Sequence, residues 1–227
     1  MSVDLRVKYQ TIYRLLGERY GEPEWRQHLP PVDELVSTIL SQSTSDSNRD
    51  MAFFSLKARY PEWELVMEAP EEDVRDTIRS AGLANQKAPR IQNALRRINE
   101  QSGELSLEFL KELPRDEAKA WLIALPGVGP KTASIVLLFA FGRPAFPVDT
   151  HVHRLTKRIG LLEPKVSADK AHGILEAMGD PDTFYAFHLN LIRHGREICI
   201  ARNPRCADCF LQEECDYFQR IDQEGNI

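Results

Sequence analysis

Cysteine is nearly absent from this chain of 227 residues: there are four, all between Cys199 and Cys215. Long apolar runs are absent too. The longest lies near Ala133–Phe141, far short of the roughly 20 residues that span a bilayer. Met1–Gly17 is charged and has no apolar segment of the kind that opens a secretory signal. Sustained period-two alternation is missing, so no sheet is expected. No internal repeat, low-complexity stretch or long flexible linker interrupts the sequence. These absences point to a cytoplasmic protein with no membrane segment, where thiols stay reduced and serve metal ligation more readily than disulfide pairing.

The remaining composition is that of an ordinary globular chain, 42% hydrophobic and 28% charged. Its length suits one or two domains and buries well over half of the unfolded surface. Net charge is −5, which argues against a nucleic-acid partner. The distribution argues the other way. Lys87, Arg90, Arg96 and Arg97 crowd 86–97; Arg143, Arg154, Lys157 and Arg158 crowd 143–158; Arg193, Arg196, Arg202 and Arg205 crowd 193–205. Acids gather in 62–76 and after Glu213. Segregation of this kind permits a basic face on an acidic protein, the alternative being solvated helix faces.

Helical periodicity runs nearly throughout. Leu5, Tyr9, Ile12, Leu15 and Leu16 form one stripe, closed by Gly17 or Gly21. A second helix is expected from Asp33, with Leu35, Val36, Ile39 and Leu40 inward. Shorter ones are expected over 51–59, 71–80, 87–99 and 107–113, separated by Pro and Gly.

The four cysteines are spaced C-x6-C-x2-C-x5-C within 17 residues. Four thiolates suit tetrahedral zinc or a cubane iron–sulfur cluster. Zinc sites usually show two separated short knuckles. One knuckle in one compact loop fits the larger [4Fe-4S] cluster better.

Residues 121–136 read WLIALPGVGPKTASIV. An apolar helix end runs into Gly127, Val128 and Gly129, and Pro130 then occupies the first helical position, where a missing N–H costs nothing. The glycines let bare backbone approach a ligand, and the new helix start favours an anion such as a DNA phosphate. The plain alternative is a turn joining two packed helices. Lys131 stands in the first turn, where the helix dipole disfavours a cation. It suits a phosphate contact or, if burial and the dipole depress its pKa, a nucleophilic amine. Asp149 precedes a helical run through Val152, Leu155 and Ile159 and is a natural N-cap. Near Lys131, its carboxylate would also assist proton transfer or stabilise a cationic sugar.

Together LPGVGPKTAS, VDTHVHRLTKRIGL and HGREICIARNPRCADCFLQEEC resemble the endonuclease III family of DNA repair glycosylases, over about Leu35–Cys215. The resemblance implies two all-α lobes with a DNA cleft between them. Residues 27–143 would be a six-helix barrel with a helix-hairpin-helix motif. Residues 1–26 plus 144–227 would hold the [4Fe-4S] cluster on Cys199, Cys206, Cys209 and Cys215. Lys131 would be the nucleophile and Asp149 its partner. The substrate would be duplex DNA with oxidised pyrimidines or abasic sites, and the enzyme a monomer acting on the cell's DNA (the nucleoid, if bacterial).

The same resemblance assigns DNA contacts to Gly127, Val128, Gly129, Gln42, Ser43, Thr44, Leu83, Ala84, His151, Arg154 and Arg202. Two segments depart from the family pattern. In SQSTSD (41–46), Ser43 occupies the slot of a glutamine that fills the gap left by a flipped base, and Gln42 lies one place early. In GLANQK (82–87), Leu83 would wedge between bases and Ala84 makes the wedge small; the plain alternative for Leu83 is a core leucine. His151 sits in the family's Asp-Thr-His string, where capping or packing is the simpler role. Competing readings are a monofunctional glycosylase, a non-catalytic DNA-damage-binding protein, and an unrelated zinc protein.

Overall fold

The computed structural model describes residues 4–224, and among them no strand is present. In chain order the α-helices are α1 (Leu5–Tyr20), α2 (Pro31–Ser41), α3 (Asp46–Arg59), α4 (Trp63–Glu68), α5 (Glu71–Thr77), α6 (Ala84–Ser102), α7 (Arg115–Ile123), α8 (Pro130–Ile135), α9 (Thr150–Arg158), α10 (Ala168–Met178), α11 (Phe184–Glu197) and α12 (Asp216–Gln223). No helix among the described residues is long and apolar enough to cross a membrane. The chain divides into two compact units, Gln27–Arg143 and Met1–Arg26 with Pro144–Ile227.

The middle unit contains α2–α8. Its core is aliphatic: Leu35, Ile39, Leu40, Leu56, Ile78, Ile91, Leu95 and Leu122 are fully buried. α2 begins at Pro31, two residues before the expected start, because proline suits the first helical position. The expected helix over 107–113 is only a 3₁₀ turn, Glu108–Lys111. Arg143 holds that turn by donating to the carbonyls of Leu110 (2.5 Å) and Leu113 (2.8 Å). Trp63–Glu68, between two prolines and unexpected, is helical because Trp63 buries against Phe53 and donates to Asp33 Oδ1 at 2.6 Å.

The second unit joins the chain's two ends through α1 and α11. Tyr9, Ile12 and Leu16 are buried, as the stripe predicts, while Leu5 stays exposed. Tyr9 meets Phe187 edge to face at 4.5 Å, and its hydroxyl hydrogen-bonds Thr183 Oγ1 at 2.9 Å. Phe146 packs edge to face on Phe184 and Phe187. Burying each such side chain stabilises the unit by about 1.5–3 kcal/mol. Lys8 closes the far side with a 2.5 Å ion pair to Asp216 at the start of α12.

Candidate functional site

In the middle unit, α7 runs into the glycine turn. Leu125 N–H donates to Leu122 O at 3.1 Å and Val128 N–H to Leu125 O at 3.1 Å. Gly127 has φ +78°, a left-handed conformation in which a Cβ would also collide with the Arg90 side chain. Val128 is the buried anchor of the turn. Gly129 is extended and, having no side chain, provides no cap; Pro130 follows at the first position. Backbone N–H groups at the start of α8 therefore face outward without a side-chain acceptor. Beyond Ile135 the helix widens into a π-helical turn, Val136–Ala140. Thr132, Ala133 and Ser134 are buried, while Lys131 is exposed. The polypeptide leaves the Lys131 side chain in solvent, with no hydrogen-bond or ion-pair partner among the described residues.

Gln42, Ser43 and Thr44 follow α2. Gln42 Nε2 donates to Gly127 O at 2.9 Å, so this side chain is engaged with the hairpin. Ser43, exposed, has φ +54°, and Leu83 has φ +50° with 49% of its surface exposed. Non-glycine residues in this region are uncommon and concentrate at functional sites. Leu83 is therefore not a core leucine. Ala84 begins α6 behind it and is half-buried.

In the other unit, Asp149 caps α9: its Oδ1 accepts from Val152 N–H at 2.7 Å. The preceding strap is held by three side chains. Glu176 accepts from Phe146 N–H at 3.0 Å, His172 Nδ1 bonds Phe146 O at 2.8 Å, and His188 Nδ1 bonds Pro147 O at 2.9 Å. His151 Nδ1 lies 3.2 Å from Arg154 Nη2. Arg154 donates to Gly195 O (2.9 Å) and Cys199 O (2.9 and 3.1 Å), which engages the guanidinium inside the unit. Arg202 is exposed in the cysteine loop.

Cys199 follows α11, Cys206 opens a 3₁₀ turn that Cys209 follows, and Cys215 precedes α12; all four line one cavity and none is in a disulfide. Arg158 Nη1 donates to Cys199 Sγ at 3.2 Å, and Leu211 N–H points at Cys209 Sγ at 3.4 Å. His194 Nε2 lies 3.5 Å from the same Cys209 sulfur. Burial pushes the thiols of Cys206 and Cys215 up, and that of Cys209 to about 11. Such thiols ionise readily only when a cation replaces their protons. Four sulfur donors with N–H groups aimed at two of them fit an iron–sulfur cluster.

Sequence reasoning missed two features. The basic stretches were read as a surface. Lys87 is in fact fully buried, and Arg143, Arg154 and Arg158 clamp backbone carbonyls. The strap residues His172 and Glu176 carried no local signal.

The chain's similarities agree with this geometry. Residues 36–180 match the model of the HhH-GPD superfamily base excision DNA repair protein, and 199–215 match the iron-sulfur binding domain of endonuclease III. Endonuclease III of Thermotoga maritima is 34% identical over 198 residues, 87% of this chain and 88% of that protein. A non-covalent endonuclease III–DNA complex superposes with a TM-score of 0.79 at 30% identity, covering 95% of this chain and 98% of the other. A trapped endonuclease III–DNA covalent intermediate matches equally, with a TM-score of 0.79 and the same coverage. The chain belongs to the endonuclease III family of HhH-GPD base excision DNA repair proteins, iron–sulfur enzymes of the DNA glycosylase and AP lyase class.

Proposed function

We propose that this enzyme removes oxidised pyrimidines from duplex DNA through a Schiff base at Lys131 and then cuts the strand by β-elimination. The observation that carries the reading is the free, exposed ammonium of Lys131, two residues after Gly129 in the first turn of α8. The helix dipole disfavours a cation in this first turn, so the position is unfavourable unless the amine is used. The covalent intermediate trapped in the related endonuclease III supports covalent attack on DNA here.

The start of α8 grips a phosphate through backbone N–H groups, which reads no sequence. The damaged base is extruded from the stack at a cost of a few kcal/mol, less for weakly paired lesions. The bound duplex displaces water from around the Lys131 side chain. Neutral Lys131 Nζ attacks C1′, the C1′–base bond breaks, and its electron pair leaves with the base. Asp149 accepts the proton lost from the amine and stabilises the cationic sugar. The sugar ring opens to an iminium that acidifies the 2′ hydrogen. Loss of that proton expels the 3′ phosphate oxygen, and water hydrolyses the imine to release Lys131. Cys199, Cys206, Cys209 and Cys215 would hold the cluster, and their loop would present Arg202 to DNA. The enzyme acts as a monomer.

The test is a panel of duplexes carrying an oxidised pyrimidine, an abasic site or no lesion. Base release together with a nick at the first, and a nick at the second, is expected. Base release without nicking would assign a monofunctional glycosylase. No release from any oxidised pyrimidine would overturn the substrate class.

A further inference from the structure

Lys87 is an unusual side chain to bury. It is 0% exposed, and its ammonium donates to Leu40 O and Ala81 O, each at 2.7 Å. No carboxylate among the described residues pairs with it, and burial, then Arg90, lowers its pKa. A leucine or methionine would fill this space without desolvating a charge. The ammonium must therefore do something a methyl group cannot, and its two acceptors indicate what.

Leu40 O is among the last carbonyls of α2, which lack helical partners and favour a cation. Ala81 O closes the 3₁₀ turn before Gly82. Three residues beyond Leu40 stands Ser43, and two beyond Ala81 stands Leu83, both left-handed without being glycine. One buried donor thus fixes the roots of both segments, although its acceptors lie 47 and 6 positions away in sequence. Such conformations persist only where their surroundings over-determine them.

We propose that Lys87 is a positioning residue for base extrusion, holding the Leu83 wedge and the Ser43 segment at a fixed separation. This rests on the reading of Leu83 and Ser43 as duplex-facing residues. Lys87 touches no DNA. It acts by preventing the wedge from relaxing away from the stack, and a displacement near 1 Å costs as much as 10²-fold in rate.

The full-length, cluster-loaded protein is compared with Lys87→Met, Leu83→Ala and the double variant. One duplex carries an oxidised pyrimidine beside 2-aminopurine, whose fluorescence reports unstacking; another carries an abasic site, with no base to extrude. Active sites are counted by borohydride trapping. Lys87→Met should slow base release by about 10- to 100-fold and abolish the fluorescence rise, while cleavage at the abasic site falls less than about threefold per active site. The double variant should be no worse than the weaker single one, since both act on one step. Equal losses on both duplexes would reduce Lys87 to a folding role and overturn the proposal. So would normal extrusion by Lys87→Met alongside impaired extrusion by Leu83→Ala. Normal extrusion by Leu83→Ala would instead remove the duplex-facing reading itself. If Lys87→Met does not fold, Lys87→Leu, which likewise removes the donor, is measured against the same criteria.

Discussion

Gln42 donates its side-chain amide to the carbonyl of Gly127 at 2.9 Å, joining the segment after α2 to the hairpin turn. Arg90 Nη1 in turn reaches Gln42 Oε1 at 3.4 Å. A glutamine so engaged steadies the turn proposed to grip a phosphate. Gln42→Ala should weaken binding to undamaged duplex by about 0.5–1.5 kcal/mol, the net worth of one hydrogen bond. Fluorescence anisotropy at fixed salt reads this. The salt slope should not change, because no phosphate contact is removed.

The two hairpin glycines should fail differently. Gly127→Ala must adopt φ +78° and push Arg90 aside, so it should lose about 1–3 kcal/mol of stability together with DNA affinity. Gly129 is extended, and a Cβ there would meet nothing within 4 Å. Gly129→Ala should therefore leave the melting temperature within about 2 °C of wild type yet weaken DNA binding, since the added methyl would stand at the proposed phosphate contact. Paired melts and anisotropy separate the two.

Glu34, buried in α2, has its carboxyl pushed above 4.5, chiefly by burial; His28 at 2.8 Å, Arg49 and Thr38 pull it back. The folded protein then holds more protons than the unfolded chain just above pH 4.5, so this group's contribution to stability falls as pH rises through that window. Glu34→Gln should remove that slope. Chemical denaturation of both proteins across the window gives the difference; parallel curves would contradict it.

Cys206→Ser should abolish the broad visible absorption of the cluster and speed amide exchange across 199–215, the segment the four thiolates tie together. Arg158→Met, which removes the 3.2 Å bond to Cys199 Sγ, should keep the absorption but shift the cluster's reduction potential. A colourless wild type with bound zinc would overturn the cofactor.

Much of this molecule was legible in its sequence because its chemistry is concentrated in short strings. The Pro-Gly-Val-Gly-Pro-Lys turn and the four cysteines carry their geometry in their spacing. The Tyr9, Ile12 and Leu16 stripe likewise buries as its period requires. What stayed hidden depends on distant partners. Lys87 reads as a surface cation until Leu40 O and Ala81 O close on it. Arg154 resembles a phosphate ligand until Gly195 O and Cys199 O engage it. The failed helix at 107–113 also depends on a distant partner: Arg143 binds the carbonyls of Leu110 and Leu113 in another conformation.

The central claim is the nucleophilic role of Lys131. The direct measurement is borohydride trapping on duplex DNA with one abasic site, comparing wild type with Lys131→Ala. A covalent protein–DNA adduct in wild type that is absent from a folded, DNA-binding Lys131→Ala is the predicted result. An adduct of equal yield in both proteins, or none in a cluster-loaded wild type that binds the duplex, would contradict it.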